Sequence, residues 1–426
     1  MNDSFFIIRN AKIIDCENKT LTASDVMIKR EGEQSPSKII KISRNIEDID
    51  TQSGATSVYN AHSHLLCRAF VDLFCSSFPA RSTTIDDAES FSRSAIAGGY
   101  STLVLKAEKE DSDIKRFAQK IKTLRSHSLV RLKFLAPLTN ENGELCDLEA
   151  LAKVGACGFC DSAGEYLPSK LLREAMIRAK ALDLPLFLSK SDPSFDLTGI
   201  NEGAAARMMG VPSTPACACE LSLVRNIELC AMTGCRVHIP LVSSAREVNM
   251  IRFAKAQGCN ISASTAPQYF CLTEDDLFFF GASAKLEPPL RSYSDREAII
   301  EAIADGTIDC IVSDHTPRTQ SEKSGSLKNA AAGALGLESA FPAALTHLLL
   351  SGKIDLFRLV SLFTTGAAKV FSESCSLSDG ETGDLIIIDP EEETVLTDNT
   401  LRSRAHNTPF LGTSLQGGIT ERFILK

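Results

Sequence analysis

The sequence predicts a (β/α)₈ barrel, an α/β fold, together with a small β-sandwich domain assembled from both chain ends. Eight apolar, strand-like runs alternate with helical segments through the middle of the chain, as expected for a closed parallel barrel. Both ends instead read as short strands separated by polar turns. The predicted boundaries are 1–56 and 371–426 for the two parts of the β-sandwich domain and 57–370 for the barrel.

The eight barrel strands are predicted from their composition and from the helices that follow them. In the segment 243–259, Val248, Ile251 and Ala254 repeat at helical spacing, and Gly258 provides a stop before the next strand. Any active site should lie at the mouth formed by the strands' C-terminal ends. The predicted strands are AHSHLL (61–66), YSTLVLKA (100–107), RLKFLAPL (131–138), GACGFCDS (155–162), LPLFLSKS (184–191), CRVHIPLVSS (235–244), CNISASTAP (259–267) and DCIVSDHTP (309–317).

Composition excludes several classes of function. Of 426 residues, 44% are hydrophobic and 23% charged, which is typical of a globular protein with a large core. No apolar run is long enough to span a membrane, and the N-terminus lacks the basic start of a secretory signal, so a cytoplasmic location is expected. The net charge of −9, without a Lys/Arg-rich block, argues against a nucleic-acid partner.

Fourteen cysteines raise the question of disulfides or a zinc ribbon. Without a secretory signal, reduced thiols are expected. Cys157 and Cys160 fall in a predicted buried strand, and Cys217 and Cys219 have one residue between them, so small buried thiols are the favoured interpretation over a ribbon.

His62 and His64 form an H-x-H pair in the first predicted barrel strand. Residues two apart on a strand face the same side, so both imidazoles could reach one metal ion in the barrel mouth. The alternative is that they are ordinary histidines satisfied within the core. Two in register among seven in the chain favour the metal interpretation.

Two aspartates end predicted strands and could complete such a site. Asp314 ends the eighth strand, where it could bind a metal and act as a general base. The alternative is that it caps the following turn. Asp161 ends the fourth strand, and a role as an ordinary turn residue is as good an explanation for it as a role as a ligand.

Several long stretches resemble dihydroorotase, of the class related to dihydropyrimidinases and allantoinases. The stretch from PPLR to SDHTP is the most specific, and the likeness extends over nearly the whole chain. The resemblance implies the amidohydrolase type of barrel. The stretches are INEGAAARMMGVPSTPACACE, RVHIPLVSSAREVNMIRFAKAQG, KLEPPLRSYSDREAIIEAIADGTIDCIVSDHTPRT, GALGLESAFPAAL and the tail GDLIIIDPEEETV with LRSRAHNTPFLG.

The resemblance also implies a chemistry, in which a metal-activated hydroxide and an aspartate base interconvert carbamoyl-aspartate and dihydroorotate. The family's H-x-H matches His62 and His64, its terminal aspartate matches Asp314, and an aspartate ligand after the fourth strand matches Asp161. These four residues would hold at most one zinc ion per chain, or none.

Other family positions are changed. The histidine ligands of the fifth and sixth strands fall at Ser189 and Leu241, so a second metal would lack both imidazoles. The arginine that holds the substrate carboxylate falls at Leu66, the substrate-binding asparagine at Glu108, and the histidine that closes the eighth-strand motif at Arg318. No substrate-binding residue of the family is therefore retained.

Two functional hypotheses follow. The first is a non-catalytic homologue in pyrimidine biosynthesis that supports aspartate transcarbamoylase structurally, as similar inactive homologues in bacteria do. The second is a one-metal hydrolase acting on dihydroorotate or another cyclic amide, with Asp314 as base. A genuine dihydroorotase with displaced ligands is a third possibility, and a homo-oligomer is expected in each case.

Overall fold

A computed structural model describes most of the chain. The described residues are 4–30, 37–46, 55–79, 81–83, 85–161, 167–189 and 191–424. They form an eight-stranded parallel sheet, which the helices surround, and a separate seven-stranded sheet. No helix among them is sufficiently long and apolar to span a bilayer.

The strands are defined by backbone pairing, and several are shorter than the apolar runs that predict them. In chain order they are β1 (Ser4–Asp15), β2 (Thr20–Arg30), β3 (Lys38–Ser43), β4 (Ala55–Asn60), β5 (Leu65–Arg68), β6 (Phe70–Cys75), β7 (Tyr100–Lys106), β8 (Arg131–Pro137), β9 (Ala156–Cys160), β10 (Leu186–Phe187), β11 (Val237–Ile239), β12 (Ile261–Thr265), β13 (Cys310–Ile311), β14 (Leu385–Val395) and β15 (Ser414–Phe423).

The helices lie mainly between barrel strands. They are α1 (Ala88–Ala97), α2 (Ile114–His127), α3 (Leu148–Lys153), α4 (Ser169–Ala181), α5 (Ala204–Met209), α6 (Cys217–Thr233), α7 (Ala245–Ala256), α8 (Pro267–Cys271), α9 (Leu277–Phe280), α10 (Tyr293–Asp305), α11 (Gln320–Lys323), α12 (Ala340–Ala344), α13 (Leu356–Phe363) and α14 (Thr365–Val370). Short 3₁₀ helices cover 109–112, 274–276 and 281–284, and a π-helical turn covers 345–349.

The predicted barrel is confirmed. Strands β6 to β13 pair in sequence order, each parallel to the next. The last strand returns to the first, because Cys75 bridges His315 and the amide of Asp314 donates to the carbonyl of Phe74 at 3.2 Å. This closure places all eight C-terminal strand ends around one mouth.

Seven of the eight predicted barrel strands are found, but the first was placed wrongly. The predicted run 61–66 does not join the barrel: β5 pairs with β1 and β14 in the small sheet. The first barrel strand is β6, which follows after Ala69. Both runs are extended and apolar, and the sequence pattern does not show which sheet will supply the hydrogen-bonding partners.

Alternating side chains of the barrel strands enter two different cores. Leu135 and Phe187 point into the barrel interior, whereas Phe134 and Leu186 pack outward against the helices. This period of two is the one expected for a strand that is buried on both faces.

The α7 helix is formed as its apolar spacing predicts. Val248, Ile251 and Ala254 face the core, and a reciprocal capping box between Ser244 and Glu247 fixes the first turn.

The small domain is built from both chain ends, as predicted. Strands β14 and β15 extend a sheet that starts with β1 to β5, and Val26, Ile28 and Ile387 share one of its cores. Because β4 and β5 belong to this sheet, the change of domain lies between Arg68 and Phe70, later than the predicted boundary at 57.

Candidate functional site

The C-terminal strand ends surround a cleft of about 330 Å³. Its apolar side comes from the end of β6, and its charged side chains come from the ends of β7 and β13 and from nearby loops. These charged residues are Lys106, Glu108, Glu287, Asp314 and Arg318. The cleft therefore carries both signs of charge, with carboxylates in the majority.

A larger cavity, of about 540 Å³, lies at the opposite end of the barrel. Its charged groups bond within the protein: Arg358 donates to the Ile303 carbonyl at 2.9 Å, and Asp309 accepts from Lys255 at 2.7 Å. Function in such barrels is expected at the C-terminal strand ends, so the smaller cleft is the candidate site.

His62 and His64 do not reach the mouth, so their predicted place at its edge was wrong. They lie in the turn between β4 and β5, where His62 and Ser63 adopt positive φ angles of 48° and 67°. His62 is exposed, and His64 Nε2 lies 3.7 Å from the Asp389 carboxylate of β14. Since β5 joins the small sheet, this turn belongs to that domain.

The true first barrel strand carries no imidazole at its end. The resemblance implies an H-x-H pair at the end of this strand, where the structure has Phe74 and Ser76. The spacing that put the family arginine at Leu66 now puts it at Phe78, which is buried and packs on Phe91 with ring centroids 4.3 Å apart. Leu66 is buried in the small domain's core, so it does not border a substrate.

Asp161 lies where the sequence placed it, directly after β9, and is 6% exposed. Its two carboxylate oxygens accept the backbone amide of Ser189 at 2.8 and 3.0 Å. Lys106 Nζ lies 3.9 Å from the same carboxylate. Asp161 thus ties the ends of β7, β9 and β10 together through bonds within the protein.

Asp314 is buried at the bottom of the cleft with a positive φ of 51°. Burial raises the pKa of its carboxyl well above the usual value, and the nearby Asp72 and Glu287 carboxylates raise it further. An aspartate is a useful general base only when it is ionised, and this environment opposes ionisation.

The ends of the fifth and sixth barrel strands also lack metal ligands. Ser189 offers a hydroxyl, and Leu241 offers no donor atom. Leu241 is 4% exposed and has a φ of 54°, an unusual conformation for leucine. A strained backbone of this kind is often found at functional sites, but here the residue that adopts it has a side chain that cannot bind a metal.

The described residues do not fit a metal centre at the mouth. Nowhere in the described part of the chain do three His, Cys, Asp or Glu side chains come together in a way that could hold an ion. At the mouth, Asp161 and Asp314 keep carboxylates, but the positions expected to supply imidazoles carry Phe74, Ser76, Ser189 and Leu241. Zinc favours imidazole, thiolate and carboxylate ligands in sets of three or four.

The remaining predicted pocket residues do border the cleft. Glu108 follows β7, where the family asparagine would bind substrate. Arg318 donates through Nε to the Ala332 carbonyl at 3.0 Å and through Nη1 to Glu322 at 3.3 Å. Both residues are therefore at the mouth, with a chemistry different from the family's.

The cysteines form no disulfide within the described residues. Cys157 and Cys160 lie in β9, as predicted, and Cys217 begins α6. Burial raises the pKa of the thiols of Cys157 and Cys160 to about 12, which suits packing and opposes metal binding.

Two buried charged or titratable groups were missed by sequence reasoning. His238 lies inside the barrel, with Nδ1 2.9 Å from Ser262 Oγ and Nε2 3.0 Å from Ser264 Oγ, and burial lowers its pKa to about 3. Burial raises the pKa of Asp72 in β6 to about 6, although Asp72 accepts the Ser313 amide at 3.0 Å. Each is a polar residue within an otherwise apolar strand, and this signal in the sequence could have identified them.

Comparison with curated proteins gives the family. The chain is 32% identical over 418 residues to dihydroorotase of Clostridioides difficile, covering 97% of this chain and 96% of that protein. The chain belongs to the dihydroorotase family. Dihydroorotase of Clostridium acetobutylicum is 31% identical over 425 residues, with the same two coverages of 97% and 96%. No family model matches the chain.

Solved structures resemble this dihydroorotase family member in fold. L-Hydantoinase (dihydropyrimidinase) from Arthrobacter aurescens superposes with a TM-score of 0.84 at 22% identity, covering 99% of this chain and 95% of that one. Dihydropyrimidinase from Brevibacillus agri gives 0.83 at 21% identity, covering 98% and 93%. At these identities the likeness shows the fold alone, the cyclic amidohydrolase barrel with its accompanying β domain.

Proposed function

We propose that this protein is a dihydroorotase homologue without dihydroorotase activity, retained in the cytoplasm as a structural partner of aspartate transcarbamoylase in pyrimidine biosynthesis. The observation that carries the proposal is the set of side chains at the strand ends. Phe74, Ser76, Ser189 and Leu241 stand where the family's imidazoles are expected, and Asp161 is engaged with Ser189 and Lys106.

The changed substrate-binding positions support the same proposal. With Phe78 in place of an arginine, a substrate carboxylate would be buried without its partner, which costs about 3–5 kcal/mol. Glu108 adds repulsion against a doubly negative substrate. Since each 1.36 kcal/mol is about tenfold in rate, these changes together remove several orders of magnitude of turnover.

The alternative of a one-metal hydrolase is weakened by the fold. It required His62, His64, Asp161 and Asp314 around one zinc ion, but the two histidines lie in the small domain. A cleft lined by Glu108, Glu287 and Asp314 would suit a cationic amide better than an anionic one. Without the histidines, however, only the carboxylates of Asp161 and Asp314 remain as ligands, and two carboxylates are a poor zinc site.

Metal analysis and an activity assay on the same purified protein test the loss of chemistry. We expect zinc far below one ion per chain and no conversion of carbamoyl-aspartate or dihydroorotate, while the Clostridioides difficile dihydroorotase serves as the positive control. One zinc per chain together with turnover comparable to that control would overturn the proposal.

Co-purification tests the structural role. We expect aspartate transcarbamoylase from the same cells to co-purify with a homo-oligomer of this chain, and the complex to survive Asp314→Ala, because the partner would bind the fold and not the mouth. Loss of the complex in a folded Asp314→Ala variant, or its absence with the wild-type chain, would contradict the structural role.

A further inference from the structure

A second cavity of about 380 Å³ lies beside the mouth, between the segment 318–324 and the segment 404–407. Its basic lining residues are Arg318, Lys323, Arg404 and His406. No acidic residue of the described chain lines it, although the whole protein has a net charge of −9. Within the described residues, the cavity is therefore lined by basic and neutral side chains, and the carboxylates that pair with them lie behind its surface.

The two cations from the first segment are held in place by backbone carbonyls. Lys323 Nζ donates to the carbonyls of Ala331 and Gly333 at 2.9 and 2.8 Å. Arg318 uses Nε and Nη1 for the Ala332 carbonyl and the Glu322 carboxylate. Within the described residues, Arg318 Nη2 and the third ammonium hydrogen of Lys323 have no bonded acceptor.

The two groups from the second segment are anchored by carboxylates and by a backbone carbonyl. Arg404 Nη1 donates to the Ile85 carbonyl and the Asp87 carboxylate, both at 3.1 Å. His406 Nδ1 lies 2.7 Å from Asp398 Oδ1. Arg404 Nη2 has no bonded acceptor in the described part of the chain. Arg318, Lys323 and Arg404 are thus each fixed by one group of atoms, and each keeps another donor available.

The first segment also carries an excess of positive charge. Burial, together with the positive charges of Arg318 and Lys285, lowers the pKa of Lys323 to about 8. Lys285 is 4% exposed, and its ammonium donates to the carbonyls of Leu327 and Lys328. Glu322 is the acidic residue that offsets this group. A bound anion would relieve the repulsion and favour the charged form of Lys323.

We propose that this cavity binds a phosphate-type oxyanion, either free phosphate or the phosphate group of a small monoester. Three cationic donors from two segments, on Arg318, Lys323 and Arg404, match the several acceptor oxygens of a tetrahedral phosphate, whereas a carboxylate offers two oxygens. Arg and Lys are the side chains that bind phosphate best through charge-assisted hydrogen bonds. The volume admits a small phosphorylated metabolite.

Calorimetric titration of the full-length protein with inorganic phosphate, ribose 5-phosphate and succinate tests the site. We expect saturable binding of at least one of the two phosphates with one site per chain, and binding of succinate at least tenfold weaker. Binding of free phosphate alone or of the ester alone would identify the source of the oxyanion. Equal affinity for succinate, or no saturable binding of either phosphate at millimolar concentration, would overturn the proposal.

Two variants and a matched control locate the binding. Lys323→Gln should weaken phosphate binding by about tenfold to a hundredfold, which is the loss of affinity expected when one charge-assisted hydrogen bond is removed. Lys328→Gln removes the same charge from an exposed residue of the same loop that does not line the cavity, so it should bind like the wild type. Because Lys323→Gln also loses bonds to two carbonyls, Arg404→Gln, which changes an exposed residue of the second segment, gives a second measurement and should weaken binding severalfold. Equal affinity in Lys323→Gln, Arg404→Gln and Lys328→Gln would place any bound phosphate elsewhere.

Discussion

The wall of the barrel has a tightly packed core, whereas the mouth lacks the metal-ligand side chains that the family resemblance implies. In the wall, Phe70 is fully buried, and its ring centroid lies 5.0 Å from those of Phe341 and Phe363. At the mouth, Leu241 and Asp314 keep the unusual backbone angles of a functional site, with φ values of 54° and 51°, while ligand side chains are missing around them. The comparison teaches that a fold and a reaction are separable: the wall depends on many apolar contacts, whereas the reaction depends on a few individual side chains.

The largest effect is expected in the wall. Phe70→Ala should lower the free energy of unfolding by about 3–5 kcal/mol, because it leaves a cavity in an aromatic cluster. Urea unfolding measures the change. Phe279→Ala removes the same side chain where it is 83% exposed and should change stability by less than about 0.5 kcal/mol. Similar losses in the two variants would contradict the assignment of Phe70 to the core.

A pH-dependent effect is expected from the barrel interior. The pKa of His238 is about 3 in the folded protein and near 6.5 when the chain is unfolded, so above pH 6.5 both states are neutral. As the pH falls below 6.5 the unfolded state takes up the proton first. Because of this histidine, the free energy of unfolding therefore decreases as the pH falls from 6.5 towards 3, by up to about 1.4 kcal/mol per pH unit.

The His238→Gln variant isolates this contribution. Urea unfolding at several pH values between 5 and 7 should show a shallower loss of stability on acidification than in the wild type. His62→Asn is the matched control, because it replaces an exposed histidine at a positive φ that asparagine tolerates, and it should keep the wild-type pH dependence. A wild-type slope in His238→Gln would show that this imidazole is accessible to protons in the folded state.

The smallest effect is expected at the mouth itself. Asp161→Asn loses the charge opposite Lys106 and one of two oxygens that accept the Ser189 amide, so it should destabilise by about 1 kcal/mol. Zinc content should stay at the wild-type level, measured in parallel with unfolding. A variant that loses bound zinc would show that Asp161 is a metal ligand, and the contrast between wall and mouth would fail.

Sequence by itself determined the architecture, because burial imposes a repeated pattern. Seven barrel strands and the α7 helix could be located from apolar spacing, and the β domain from the strand-like chain ends. Asp161 and Asp314 were found because residues that end barrel strands must lie at the mouth. Patterns of this kind involve many residues, so one error does not destroy the prediction.

Tertiary structure decided which sheet each strand joins and which side chains meet. His62 and His64 do have the H-x-H spacing, but the prediction that they border the barrel mouth was wrong. Strand β5 pairs with β1 and β14, so both imidazoles lie in the small domain. The basic cavity combines Arg318 and Lys323 with Arg404 and His406, which are far apart along the chain. Hydrogen-bonding partners and contacts between distant segments are properties of the closed fold, and local spacing carries no information about them.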